Sequence, residues 1–204
     1  GTSLWPVHGL FRRHLRSLVY IPMKDTTRIT LGHGSGGKLT HRLLEEIILP
    51  AFANPVLAQA DDAALFPLRG TAAFTTDSFV VQPLFFNGGD IGKLSVCGTV
   101  NDLAVMGAQP LYLTAACIIE EGFEMSMLKE VVHSMAVTAR KAGVRIAGGD
   151  LKVVGHGAAD GLFINTSGIG IRPRASTLSG RNARPRDAVL INGLIGEHGT
   201  AVMA

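Results

Sequence analysis

The segment LGHGSGGKLT, residues 31 to 40, brings four glycines together with a lysine, the residue types that cradle phosphate. Glycine reaches φ > 0 and lets backbone N–H groups approach an anion, and a helix opening near Lys38 adds the positive end of its dipole. The spacing fits G-x-x-x-x-G-K from Gly32 to Lys38, but Leu39 stands where a Walker A loop needs a hydroxyl for Mg²⁺, and Thr40 comes one residue late. The loop therefore reads as phosphate-handling in general and not as a Walker A site. Its ordinary alternative is a glycine-rich turn that starts a helix.

A set of acids stands in contexts unlike surface charge. Asp61-Asp62 precede AALF, Asp77 interrupts FTTDSFVV, Asn101-Asp102 lie in a small and apolar run, and Asp150 follows two glycines. Carboxylates among apolar residues are costly unless paired, hydrogen-bonded or bound to metal. Mg²⁺ suits them, since it takes one or two carboxylates, keeps waters and bridges nucleotide phosphates. Each acid alone also reads as an N-cap, a turn residue or a buried acceptor. The histidines show no H-E-x-x-H spacing, so His33, His41, His133, His156 and His198 read as structural or surface groups and no transition metal is expected.

The elements that must position these residues follow from periodicity. Leu39, Leu43, Leu44, Ile47 and Ile48 recur at helical spacing from Lys38 to Leu49, with Pro50 as the stop. Residues 56–59 and 62–67 read as short strands around Asp61-Asp62, and residues 71–81 as a strand carrying Asp77. Residues 91–106 are too uniformly small and apolar for an amphipathic surface helix, which predicts a helix buried between layers. Residues 111–119 read as a strand. Residues 125–142 form an amphipathic helix closed by Gly143. Residues 144–147 read as a short strand ending at Gly148-Gly149-Asp150, and residues 162–171 as another. Proline, glycine and arginine without periodicity mark 172–187 as a linker, and 188–192 reads as a fresh strand opening a second, truncated domain. The expected division is thus an extension over 1–27, a main domain over 28–186 and the start of another over 187–204.

Composition narrows the function class. Of 204 residues, 47% are hydrophobic and 17% charged, which fits a compact globule rather than a disordered chain. The net charge of +3 arises in the first 22 residues, where Arg12, Arg13 and Arg16 meet no acid; the remaining 16 basic residues balance 16 acidic ones. Without a basic stripe there is no electrostatic case for a nucleic-acid partner. No stretch matches the roughly 18 apolar residues of a membrane span, so no membrane partner is expected. Cys97 and Cys117 form no C-x-x-C, indicating neither zinc nor a disulfide framework, and a reducing cytoplasm is the simplest setting. The first residues make a poor secretory signal, and a start at Met23 would remove most of that extension.

Taken in order, GHGSGGK, DDAALF, TTDSFVVQPLFFNGGDIGKLSVCGTVNDLAVMGAQPLYL, GGDLKVV and LFINTSGIG resemble the ATP-binding domain of the aminoimidazole ribonucleotide synthetase (PurM-like) superfamily. Within it they most resemble the hydrogenase maturation (expression/formation) proteins, over roughly residues 28 to 204. The resemblance implies an α/β fold, a mixed β-sheet with helices packed on one face, whose sheet pairs with that of a second copy into a dimeric barrel. It implies ATP and Mg²⁺ as cofactors. The implied activity is ATP-dependent dehydration of a C-terminal cysteine thiocarboxamide to a thiocyanate, the source of cyanide ligands for [NiFe] hydrogenase. Implied partners are a maturation carbamoyltransferase and iron-scaffold proteins.

By position, the resemblance makes Asp62, Asp77 and Asp102 the metal acids. Gly34, Ser35, Gly36, Gly37, Lys38 and Asn101 become nucleotide contacts, and Asp150 and Lys152 catalytic candidates. Lys152 follows Asp150 at i+2, on the same side of an extended segment; its plain alternative is a solvated lysine at a strand end. The terminal cysteine of the family is missing from this sequence, so this stretch is not expected to complete the reaction by itself. Selenophosphate synthetase and thiamine-monophosphate kinase share the acids, but the former usually has Cys or Sec in its glycine loop and residues 31–40 contain none. A nucleotide-independent dimerisation module is the alternative outside enzymes.

Overall fold

The computed structural model describes residues 28–59, 63–191 and 193–203. The extension over 1–27 and the pair Asp61-Asp62 lie outside the described residues.

After a 3₁₀ turn at Leu31–Gly34, helix α1 (Lys38–Leu43) continues through a π turn, Leu44–Ile48, into α2 (Leu49–Phe52). The strand β1 (Thr71–Phe79) and a small hairpin, β2 (Phe85–Phe86) with β3 (Gly89–Asp90), lead to α3 (Ile91–Val105). Then come β4 (Gln109–Glu120), α4 (Met125–Ala142), β5 (Arg145–Val154), β6 (Leu162–Arg172) and α5 (Glu197–Met203).

Among the described residues the main sheet has the order β1-β6-β4-β5, antiparallel except for the parallel β4–β5 pair, so it is mixed as expected. Alternation along β6 buries Leu162, Ile164 and Thr166 on one face. That face carries α3 and α4, whose Leu128, Val131, Val132 and Met135 join Ile119, Leu113 and Val96 in the core. The helices meet closely: a Cβ on Gly92 would fall 2.5 Å from the Val131 carbonyl. Asp90 caps α3 by accepting from the Gly92 and Lys93 amides and from the Ser134 hydroxyl, which ties the two helices. The opposite sheet face has no helix over it among the described residues and exposes Phe74 (73%) and Ile118 (42%).

Several expectations need correction. The first helix does not stop at Pro50 but runs to Phe52: the π turn directly before the proline, with the Leu49 amide bonded to the Leu44 carbonyl, widens the backbone and accommodates the ring. Residues 56–59 are not a strand. Asn54 Oδ1 accepts from the Val56 and Leu57 amides, local bonds that favour a turn, while its Nδ2 donates to the distant Ile146 carbonyl, and a 3₁₀ segment forms at Leu57–Gln59. The strand expected at 62–67 does not form in its described part, 63–67, where Phe66 instead lies against Tyr112 with ring centroids 4.3 Å apart. The α3 helix is buried along one stripe only, with Asn101, Asp102 and Val105 exposed. β5 does not end at the glycines: it passes through Gly148-Gly149-Asp150 to Val154, with a bulge where Leu113 pairs Ile146 but Thr114 pairs Gly148. The strand expected at 188–192 is absent from its described part, where Val189 and Leu190 are exposed and without ladder partners. Gly143 does close α4, at φ 70°.

Candidate functional site

Two groups of the sequence-derived residues come together, at opposite edges of the sheet. On β1, Thr75 and Asp77 share a side because strand residues alternate. On α3, Gly98 and Asp102 lie about one helical turn apart. The two pairs face each other: Thr75 Oγ1 donates to Asp102 Oδ2 at 3.1 Å, and a Cβ on Gly98 would sit 3.6 Å from Asp77 Oδ2 and 2.7 Å from the Phe79 ring. Glycine at 98 is what lets the helix approach the strand beside Asp77.

Asp77 Oδ1 accepts from the Ser78 amide at 2.8 Å, while its Oδ2 and Asp102 Oδ1 have no hydrogen bond among the described residues. Both carboxylates are exposed, as is Asn101. The seam therefore offers two open carboxylate oxygens to solvent. Asn165 steadies it from β6, donating through Nδ2 to the Asp77 carbonyl at 2.9 Å.

The other group gathers at β5. Gly34 lies so close that a Cβ there would fall 2.6 Å from the Val153 nitrogen, placing the glycine loop beside Lys152. Within the loop Ser35 Oγ donates to the Gly32 carbonyl, and the Gly36 amide donates to Thr40 Oγ1 at 3.0 Å. The hydroxyl that comes too late for a Walker site is thus used to fold the loop. A phosphate bound at Gly36 must displace it. His33 is buried, its Nδ1 accepting from the Thr30 amide, which bears out a structural role.

Asp150 and Lys152 are exposed and their side chains make no hydrogen bond or ion pair among the described residues, and the same holds for the Lys38 side chain. Burial, and then the Asp150 carboxylate, push the Cys117 thiol up to about 12. It stays protonated at neutral pH and acts as a packing group, not a nucleophile. Three strand spacings, about 14 Å, separate the β1 and β5 edges. Asp62 lies outside the described residues, and no group of three or more His, Cys, Asp or Glu among those described could hold a metal ion. Two carboxylates nonetheless fit Mg²⁺ when phosphates complete its shell. Thr75 and Gly98 are site residues the sequence reading missed; the i+2 spacing to Asp77 and the i−4 spacing to Asp102 were the available signals.

The family model for the AIR synthase related protein, N-terminal domain, matches residues 60–172, a span that contains the β1–α3 seam and β5. The chain belongs to the AIR synthase related family. Among relatives, carbamoyl dehydratase HypE of Rhodobacter capsulatus is 50% identical over 180 residues, 87% of this chain and 53% of that protein. HypE of Escherichia coli K12 is 48% identical over 181 residues, 86% and 54% of the two chains. A crystal structure of hydrogenase maturation protein HypE in complex with ATP superposes with a TM-score of 0.83 at 50% identity, covering 85% of this chain and 52% of that one. A HypE–HypF complex matches with a TM-score of 0.64 at 57% identity, over 79% and 52% of the chains. The AIR synthase related chain thus spans about half the length of these relatives.

Proposed function

We propose that this AIR synthase related chain is the ATP-binding portion of a carbamoyl dehydratase of the HypE type. The observation that carries the reading is the seam where Asp77 and Asp102 present open oxygens, in a chain 50% identical to a HypE solved with ATP. Asp77 and Asp102, with Asp62, would hold Mg²⁺, which supplies neutralisation of charge on the transferred phosphoryl group. Asn101 borders the nucleotide, and Gly34 to Lys38 close over its phosphates.

The reaction this serves begins with a thiocarboxamide, S–C(=O)–NH₂, whose oxygen is a poor leaving group. Attack of that oxygen on the γ-phosphorus breaks the bond to ADP and releases one proton from nitrogen. Loss of inorganic phosphate and the second N–H proton then leaves S–C≡N. Lys152 and Asp150, side by side on one face of β5 at the edge the glycine loop reaches, are the candidates for handling the group being dehydrated. Titration calorimetry tests the binding step: ATP is expected to bind with Mg²⁺ and far more weakly without it. No heat at millimolar ATP in either condition overturns the reading in favour of a nucleotide-independent module.

The second copy belongs to the same proposal. The uncovered sheet face, with Phe74 and Ile118 exposed, suits burial against its own counterpart. Light scattering of the chain should give a dimer, and Phe74→Glu a monomer; a wild-type monomer at high concentration removes the paired sheet. A maturation carbamoyltransferase is the partner in this reading, supported by the similar HypE solved with HypF, and an iron-scaffold protein would receive the cyanide ligand.

A further inference from the structure

The glycine loop and the strand bearing Lys152 are both held by the turn that follows β4. Glu120 ends β4, and its carboxylate accepts the Gly157 amide at 2.5 Å through Oε1 and the Gly161 amide at 3.0 Å through Oε2. Both glycines adopt left-handed φ, 81° and 75°, in the connection 155–161 that carries the chain from β5 over the end of β4 to β6. Those amides hold the Glu120 carboxyl below its ordinary range, with a smaller contribution from His156, whose Nδ1 lies 3.1 Å from Oε1. The ionised form thus grips the connection.

The next residue grips the other side. Glu121 Oε1 accepts the Leu31 amide at 3.3 Å, at the entry to the glycine loop. Backbone bonds reinforce it: the Ile29 amide donates to the Phe123 carbonyl at 2.7 Å and the Gly122 amide to the Ile29 carbonyl at 2.8 Å. Arg28 completes the hold, donating to the Gly122 carbonyl at 2.9 Å and pairing with Glu124 at 3.3 Å. The Glu121 amide in turn donates to the Val154 carbonyl at the end of β5.

We propose that Glu120 and Glu121 form a two-armed clamp that sets the glycine loop against β5 beside Lys152, making them positioning residues for the nucleotide site. The functional half of this rests on the ATP-binding reading above; the positional half does not. Amide hydrogen exchange on the chain, followed by residue, is the test. Glu121→Ala is expected to speed exchange at residues 31–38 about tenfold, the loss of one charge-assisted hydrogen bond. Glu120→Ala should do so at Gly157 and Gly161, and more weakly at 31–38 through the shared turn. Gln at either position keeps an acceptor oxygen and should restore most of the protection. Exchange in α4 stays at wild-type rates throughout.

ATP affinity is expected to fall about tenfold in the Ala variants, without change in the exchange of α4, and to recover with Gln. Residues 31–38 exchanging at wild-type rates in Glu121→Ala, or acceleration spread equally over α4, overturns the clamp. A wild-type chain that binds no ATP defeats the nucleotide reading instead and leaves the exchange result to decide the clamp.

Discussion

Changing Asp77 and Asp102 together to asparagine is expected to weaken Mg²⁺-ATP binding about 100-fold, some 2.7 kcal/mol, while leaving the fold intact. The fold survives because both side chains are exposed and asparagine keeps an oxygen to accept from Thr75 Oγ1 and the Ser78 amide. The loss arises from charge: a neutral amide is a far weaker Mg²⁺ ligand than a carboxylate. The two positions touch a common seam, so each single variant should already show most of the loss if they share one ion. The sign reverses without metal. Two carboxylates repel a bare triphosphate, so in chelator the double variant should bind ATP as well as wild type or better. Calorimetry in both conditions checks the pair of outcomes, and unchanged affinity with Mg²⁺ removes both acids from the site.

The features legible in sequence were those with a local physical cause. Period-3.6 apolar spacing placed α4 within its bounds, and Gly143 marked its end because only a left-handed residue closes it there. The strand carrying Asp77 was expected over residues 71–81, and its pairing with β6 sets its limits at Thr71 and Phe79. Features decided by a backbone irregularity or by distant partners were not. The π turn before Pro50 depends on a local rearrangement that helical periodicity does not encode, and Asn54 prevents a strand at 56–59 partly by reaching the Ile146 carbonyl, 92 positions away.

For the candidate site, the acids stood out by their apolar sequence neighbours, yet Asp77, Asp102 and Asp150 are exposed, and what brings Asp77 and Asp102 together is the meeting of β1 and α3 rather than burial. Its remaining partners were hidden for the same reason as the long-range turns. Thr75 and Gly98 matter only because β1 and α3 meet, and Glu120 and Glu121 read as an ordinary strand end until the connection 155–161 and the glycine loop fold onto them.

The largest stability effect should come from Gly149→Ala. A Cβ at Gly149 would lie 2.0 Å from the Ala115 carbonyl oxygen and 3.0 Å from its carbon, an overlap with backbone that no rotamer relieves. Ala115 and Gly149 are ladder partners just past the bulge, so the only escape is to push β5 away from β4. The expected cost is about 3 kcal/mol or more, a drop in Tm of roughly 6–12 °C for a domain of this size. Its neighbour is the control: a Cβ at Gly148 meets only the Thr114 methyl, at 3.9 Å, an ordinary contact, and Gly148→Ala should stay within about 1 kcal/mol of wild type. Because Asp150 and Lys152 follow directly on β5, whatever Gly149→Ala folds to should also bind ATP more weakly. Thermal unfolding of the two variants side by side decides it: equal melting temperatures would mean that β4 and β5 are not this close at Gly149, and the bulge that aims Asp150 and Lys152 would fall with it.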